Sequence, residues 1–181
     1  MKWLVFAVFS SVIVFLITVF FRLGGYKDVL VEEKVIPTML LVGKSHLGPY
    51  HKINDVISEV EKWAMQNRIP CTKTYGEYID DPRTKDEDRL KSFGGCVLTS
   101  KLPADLALPE GFKASERPAG PSIYAEFKGA PSIGPFKVYP AVEEYMTAHK
   151  YKTTGSVYEI YEIHNESTAT THYYFGFTQA Q

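Results

Sequence analysis

Glu159 stands among hydrophobic neighbours in the run Val157-Tyr158-Glu159-Ile160-Tyr161-Glu162-Ile163. β-Branched and aromatic residues dominate the run and neither Gly nor Pro interrupts it, so it reads as a strand. Successive side chains of a strand point to opposite faces. Val157, Glu159, Tyr161 and Ile163 therefore share one face, and Tyr158, Ile160 and Glu162 the other. A carboxylate on an apolar face loses hydration, which raises its pKa, and a bound cation or hydrogen-bond donor compensates. Tyrosines beside it offer a surface to a flat or cationic molecule. A second glutamate, Glu77 in Tyr75-Gly76-Glu77-Tyr78-Ile79, falls on Glu159 at an offset of 82. The expected ligand-binding set is Glu159, Tyr161, Glu77, Tyr75 and Tyr124. Two glutamates in one cleft also suit acid/base hydrolysis, provided their environments hold one protonated and one ionised. The plainer alternative is a solvated strand face with Glu159 paired to a lysine.

Other chemistries lack their residues. His46 and His51 are five apart and His149, His164 and His172 fall on different elements, so no metal site is expected. No Gly-rich phosphate loop, nucleophile elbow or Cys–His signature occurs, and no cofactor is expected. A net charge of −1 provides no basic excess for nucleic acid. Cys71 and Cys96 read as two part-buried thiols, although neighbouring strands would bring a bridge within reach.

The elements that must position Glu159 are written twice. Val60-Glu61-Lys62-Trp63 recurs as Val142-Glu143-Glu144-Tyr145, and His46-Leu47-Gly48-Pro49-Tyr50 as Ser132-Ile133-Gly134-Pro135-Phe136. Each copy is expected to run strand, Gly-Pro turn, helix, Glu-bearing strand, further strand. Ile53, Val56, Ile57, Val60 and Ala64 give the first helix one apolar face, and Val138, Val142 and Met146 the second. Pro140 is expected in the first turn of its helix. The charged stretch Asp80 to Ser92 reads as an exposed loop, and a protein partner could use it. The result is an α+β fold of duplicated strand-helix-strand-strand units, an antiparallel sheet with two helices on one face. Glu77 and Glu159 are expected together on the other face.

Ahead of this unit, Trp3 to Phe21 carries no charge and is long enough for a membrane span. Phe20-Phe21-Arg22 is a poor signal-peptidase site, which favours an uncleaved anchor. Expected divisions are an anchor over 1–24, a juxtamembrane segment over 25–34 opened by a Gly24-Gly25 hinge, and a domain over 35–178. Within the domain, the copies cover about 35–100 and 121–178, joined by a crossover over 101–120.

The Gly-Pro-Tyr helix start, the Tyr78-Ile79-Asp80-Asp81-Pro82 run with Arg89 and Gly94-Gly95 behind it, and the Tyr158-Glu159-Ile160-Tyr161 strand resemble the GyrI-like, or effector-binding, domain family. The resemblance covers about residues 35 to 178. It implies two repeated units with a small, often cationic or aromatic, ligand between them, and a ligand-contacting glutamate at Glu159. Some members resemble hydrolases built on glutamates and aromatics. The pairing with an N-terminal span resembles the membrane-anchored reticulophagy-receptor branch, whose tail motif this sequence, ending at Gln181, is expected to lack. The expected function is a membrane-anchored domain that binds a small molecule, with a protein-interaction module or a hydrolase as alternatives.

Overall fold

A computed structural model describes residues 2–165 and 168–180. The chain runs α1 (Lys2–Arg22), β1 (Leu30–Ile36), β2 (Met39–Leu47), a 3₁₀ turn (Tyr50–Lys52), α2 (Ile53–Gln66), β3 (Lys73–Tyr78), β4 (Lys91–Leu98), β5 (Phe112–Arg117), β6 (Gly120–Gly129), α3 (Gly134–Ala148), β7 (Tyr151–Asn165) and β8 (Thr168–Gln179). The strands form one antiparallel sheet in the order β1-β6-β8-β7-β3-β4-β2-β5.

Both amphipathic helices lie on one face. Val60 and Ala64 of α2 pack on Val42, Cys96 and Leu98. Val138, Val142 and Met146 of α3 pack on Ile123, Ala125, Phe127, Tyr173 and Phe175. The helix starts differ between the copies. Gly134-Pro135 opens α3 directly, whereas Gly48-Pro49 precedes a 3₁₀ turn and α2 begins only at Ile53. Pro140 lies in the second turn of α3 rather than the first, so the Phe136 carbonyl has no backbone donor four residues on.

The first strand of each copy is exchanged. β1 pairs with β6 of the second copy, and β5 with β2 of the first. Two-residue connectors, Pro37-Thr38 and Pro118-Ala119, carry the chain across, and the Ala119 N–H donates to Thr38 Oγ1 at 3.3 Å. In a flat sheet β5 and β6 would stand six strand spacings apart, roughly 28 Å. The three Cα steps from Arg117 to Gly120 reach at most about 11 Å. The sheet must therefore curl until its edges meet. Its concave face, opposite the helices, holds a core of its own made by Met39, Leu41, Tyr75 and Ile160.

Gly43 and Gly95, paired across β2 and β4, let the strands bend against each other. A Cβ on Gly95 would press into the Val42 carbonyl and stand 2.6 Å from Gly43 Cα. Backbone cannot swing aside, so Gly95→Ala is expected to lower unfolding free energy by about 2 kcal/mol or more, read from a urea melt.

Two expectations are corrected here. Cys71 and Cys96 are joined in a disulfide, not left as thiols, with Cα atoms 5.3 Å apart. The segment from Gly24 is also tied down rather than hinged. The Ala130 N–H donates to Leu23 O at 2.9 Å, and Lys137 Nζ donates to the carbonyls of Gly25 and Lys27. Gly24 has φ +79°, a left-handed conformation that favours glycine, and a Cβ there would meet Gly129 Cα at 3.1 Å. Helix α1 itself is long and apolar enough to cross a membrane, with mean hydropathy 2.4 over Val5–Arg22 and none of that window buried in the protein.

Candidate functional site

β7 and β3 lie side by side at the centre of the sheet, with Glu159 opposite Gly76 and Glu77 opposite Tyr158. The two glutamates therefore point to opposite faces. Their alignment at an offset of 82 is one residue out. The connectors Pro37 and Pro118, and the helix starts Ile53 and Gly134, are 81 apart. At 81 the partner of Glu159 is Tyr78, and a one-residue shift on a strand exchanges its faces. A shared cleft for the two carboxylates is thus ruled out, and with it acid/base chemistry by that pair on one bond.

Glu159 sits on the helix-covered face and is 3% exposed. Tyr161 OH donates to its Oε2 at 2.9 Å, and Tyr139 OH, from α3, donates to its Oε1 at 3.0 Å. Since Tyr161 gives its one proton to Glu159, the 2.9 Å contact between Tyr78 and Tyr161 hydroxyls has Tyr78 as donor. Tyr50 backs this chain, its ring 4.8 Å from that of Tyr78. Tyr173, directly across from Glu159 on β8, has a buried hydroxyl without a hydrogen-bond partner.

No cation is paired with Glu159 among the described residues. Burial pushes its pKa up to about 7, and the bonds from Tyr161 and Tyr139 pull the other way. Burial and the carboxylate's charge push Tyr161 and Tyr139 well above the usual phenol range, which keeps both as donors. The arrangement is a desolvated carboxylate in an aromatic box, half-ionised near neutral pH and open to charge compensation.

The remaining expected site residues lie on the concave face. Glu77 Oε1 accepts from Ser156 Oγ and Tyr158 OH, each at 2.7 Å. Tyr75 is buried beneath it in the concave core. Tyr124 belongs to a separate cluster, its hydroxyl 2.8 Å from Glu126 Oε2 and 2.7 Å from His172 Nδ1. Of the expected set, Glu159 meets only Tyr161, while Glu77 and Tyr75 lie together on the opposite face. Tyr139, Tyr78 and Tyr173 were not expected at the site. Tyr139 stood beside the buried stripe of α3, and the 81-residue offset would have found Tyr78. The charged loop is anchored at its start, where Asp80 pairs with Lys85 at 2.8 Å and takes the Lys91 N–H at 2.7 Å.

The profile of the GyrI-like small-molecule-binding domain matches residues 31–177. No curated protein matches the chain. Among solved structures, the EcmrR C-terminal domain superposes with TM-score 0.65 at 15% identity, over 84% of this chain and 99% of that one. The chain spans 58% of EcmrR in its DNA complex, with TM-score 0.64, 15% identity and 84% of this chain covered. SAV2435, solved bound to tetraphenylphosphonium, gives TM-score 0.54 at 14% identity, over 82% of this chain and 94% of that one.

Proposed function

Because the chain belongs to the GyrI-like small-molecule-binding domain family, we propose that it binds a small cationic or aromatic molecule against Glu159, between sheet and helices, while α1 anchors it in a membrane. One observation carries this reading: a carboxylate that is 3% exposed, bonded by two phenols and paired with no cation among the described residues. Such a group is costly to ionise alone, and a lipophilic cation removes that cost. The aromatic rings of Tyr139, Tyr161 and Tyr173 favour a flat or cationic guest in the same place. Tetraphenylphosphonium in SAV2435 is a lipophilic cation held by the same fold, which supports this ligand class. The 21 residues of α1 rise about 31 Å, the thickness of a hydrocarbon core, and its unburied apolar surface supports the anchor.

The test is calorimetric titration of the full chain in detergent micelles with tetraphenylphosphonium at pH 8.5 and pH 5.5. The ionised carboxylate binds the cation. With a pKa of about 7, only roughly 3% of Glu159 is ionised at pH 5.5. Affinity is expected to fall roughly ten- to thirtyfold between the two pH values. Equal affinity at both, or no binding at either, overturns the proposal.

A further inference from the structure

The concave face holds a second arrangement, unused by the Glu159 site. A cavity of about 210 Å³ opens there, lined among others by Glu77, Tyr158, Lys113, Arg117, Tyr75 and Phe93. Its lining carries both signs of charge, held in place by protein contacts. Glu77 is oriented by Ser156 and Tyr158, which both donate to Oε1. Arg117 lies over the Tyr158 ring, its guanidinium carbon 4.8 Å from the centroid, and reaches Ser122 Oγ through Nη2 at 3.4 Å.

Arg117 Nη1 is shielded from solvent and has no hydrogen-bond partner among the described residues. Glu77 is near enough for its charge to act on Arg117. Even so, no carboxylate comes within 4.0 Å of this guanidinium among the described residues. The adjacent Glu116, which also lines the cavity, pairs with Lys101 at 3.6 Å. A guanidinium and a carboxylate that line one cavity without forming an ion pair suit a molecule that answers both. Arg117 requires an acceptor, in the plane suited to a carboxylate. Glu77, with both its protein donors on Oε1, has Oε2 for an ammonium group.

We infer that this cavity binds a small zwitterion of amino-acid size, its carboxylate on Arg117 and its ammonium on Glu77. A simple anion would face Glu77 unpaired, and a simple cation would face Arg117 and Lys113. The volume falls below the roughly 300–1,000 Å³ of drug-sized pockets, which matches a metabolite of a few heavy atoms. Sites that hydrogen-bond both ends of a ligand reject analogues lacking either end, because a buried polar group is then left unpaired.

The experiment is saturation-transfer NMR with the full chain in micelles, using L-alanine, L-valine and L-leucine as probes. 4-Methylpentanoate and isopentylamine, which are leucine without its ammonium and without its carboxylate, serve as controls. At least one amino acid is expected to bind, and each single-charge analogue at least tenfold more weakly than leucine. Glu77→Gln, which keeps an acceptor for Ser156 and Tyr158, is expected to weaken leucine tenfold while 4-methylpentanoate binds no more weakly than to wild type. Arg117→Met, which keeps packing over Tyr158, is likewise expected to weaken leucine tenfold while isopentylamine binds no more weakly than to wild type. Glu159→Gln should leave amino-acid binding intact, which separates this site from the one under the helices. No binding by any of the three amino acids, or equal binding of leucine and its analogues, overturns the inference. The analogue comparison needs no variant, so a misfolded variant does not blunt it.

Discussion

Glu159→Gln is expected to weaken tetraphenylphosphonium binding roughly ten- to a hundredfold and, in the same protein, to raise stability at alkaline pH. The first effect follows from losing a charge-assisted contact of about 1.5–3 kcal/mol, at 1.4 kcal/mol per factor of ten. The second follows from linkage. The Glu159 pKa is raised in the folded protein, to about 7 from an ordinary 4.5. Below 4.5 both folded and unfolded chains hold the proton and nothing is lost. Between 4.5 and 7 the unfolded chain releases it first, so folding stability falls as pH rises. Above 7 the loss is complete, on the order of 3 kcal/mol at 1.36 kcal/mol per unit. Gln cannot ionise and escapes this loss. Urea melts of both proteins at pH 4 and pH 8.5 should nearly coincide at the lower value and separate at the higher, the variant being more stable. A variant less stable than wild type at pH 8.5 would mean that the carboxylate serves Tyr139 and Tyr161 as a structural partner.

Opening the Cys71–Cys96 bridge should cost about as much. The cysteines are 25 residues apart, and closing a loop of that length in the unfolded chain is worth about 3 kcal/mol in the chain-entropy account. For a domain of this size that corresponds to a fall in Tm of about 6–12 °C. Cys96 is also fully buried against Val42, Val60 and Ala64, so the bridge fixes the β3 approach beneath α2. Melting wild type with and without reductant, beside a Cys71→Ala/Cys96→Ala double variant, should give the same drop twice. Coincident melts of oxidised and reduced wild type would dismiss a stabilising bridge. Thiol labelling before and after reduction also reads the compartment, since an isolated bridge persists where the surroundings oxidise.

Much of the fold is legible in the sequence because local periodicity encodes which face of an element is buried. The apolar positions of α2 and α3 and the face grouping of Val157, Glu159 and Tyr161 are of this kind. Periodicity does not name the partner across a sheet, and there the reading fails. The two strand-helix-strand-strand units are present as expected, in β2-α2-β3-β4 and β6-α3-β7-β8, but the β1–β6 and β2–β5 pairings join residues far apart in sequence, so the exchange of leading strands was not foreseen. The 82-residue offset was drawn from the helices, whose faces tolerate a shift of one better than a strand does. Carried onto β3 it chose Glu77 in place of Tyr78 and put both carboxylates on one face. Glu159 was found because a charge among apolar neighbours is visible without any partner. Arg117 was not, because nothing near it in sequence announces that the curled sheet will lay it over Tyr158.

The exchanged strands have a consequence for synthesis. Leu30 pairs with Glu126, 96 residues later in the chain. At about 5–20 residues per second, β1 leaves the ribosome several seconds before its partner exists. It waits as a bare strand edge, the form most prone to pair with the wrong chain. Glu32, Glu33 and Lys34 at its middle supply the charges that discourage such pairing. Neither half can complete its sheet alone, so the nascent domain stays unfinished until β8, which joins β6 to β7, emerges.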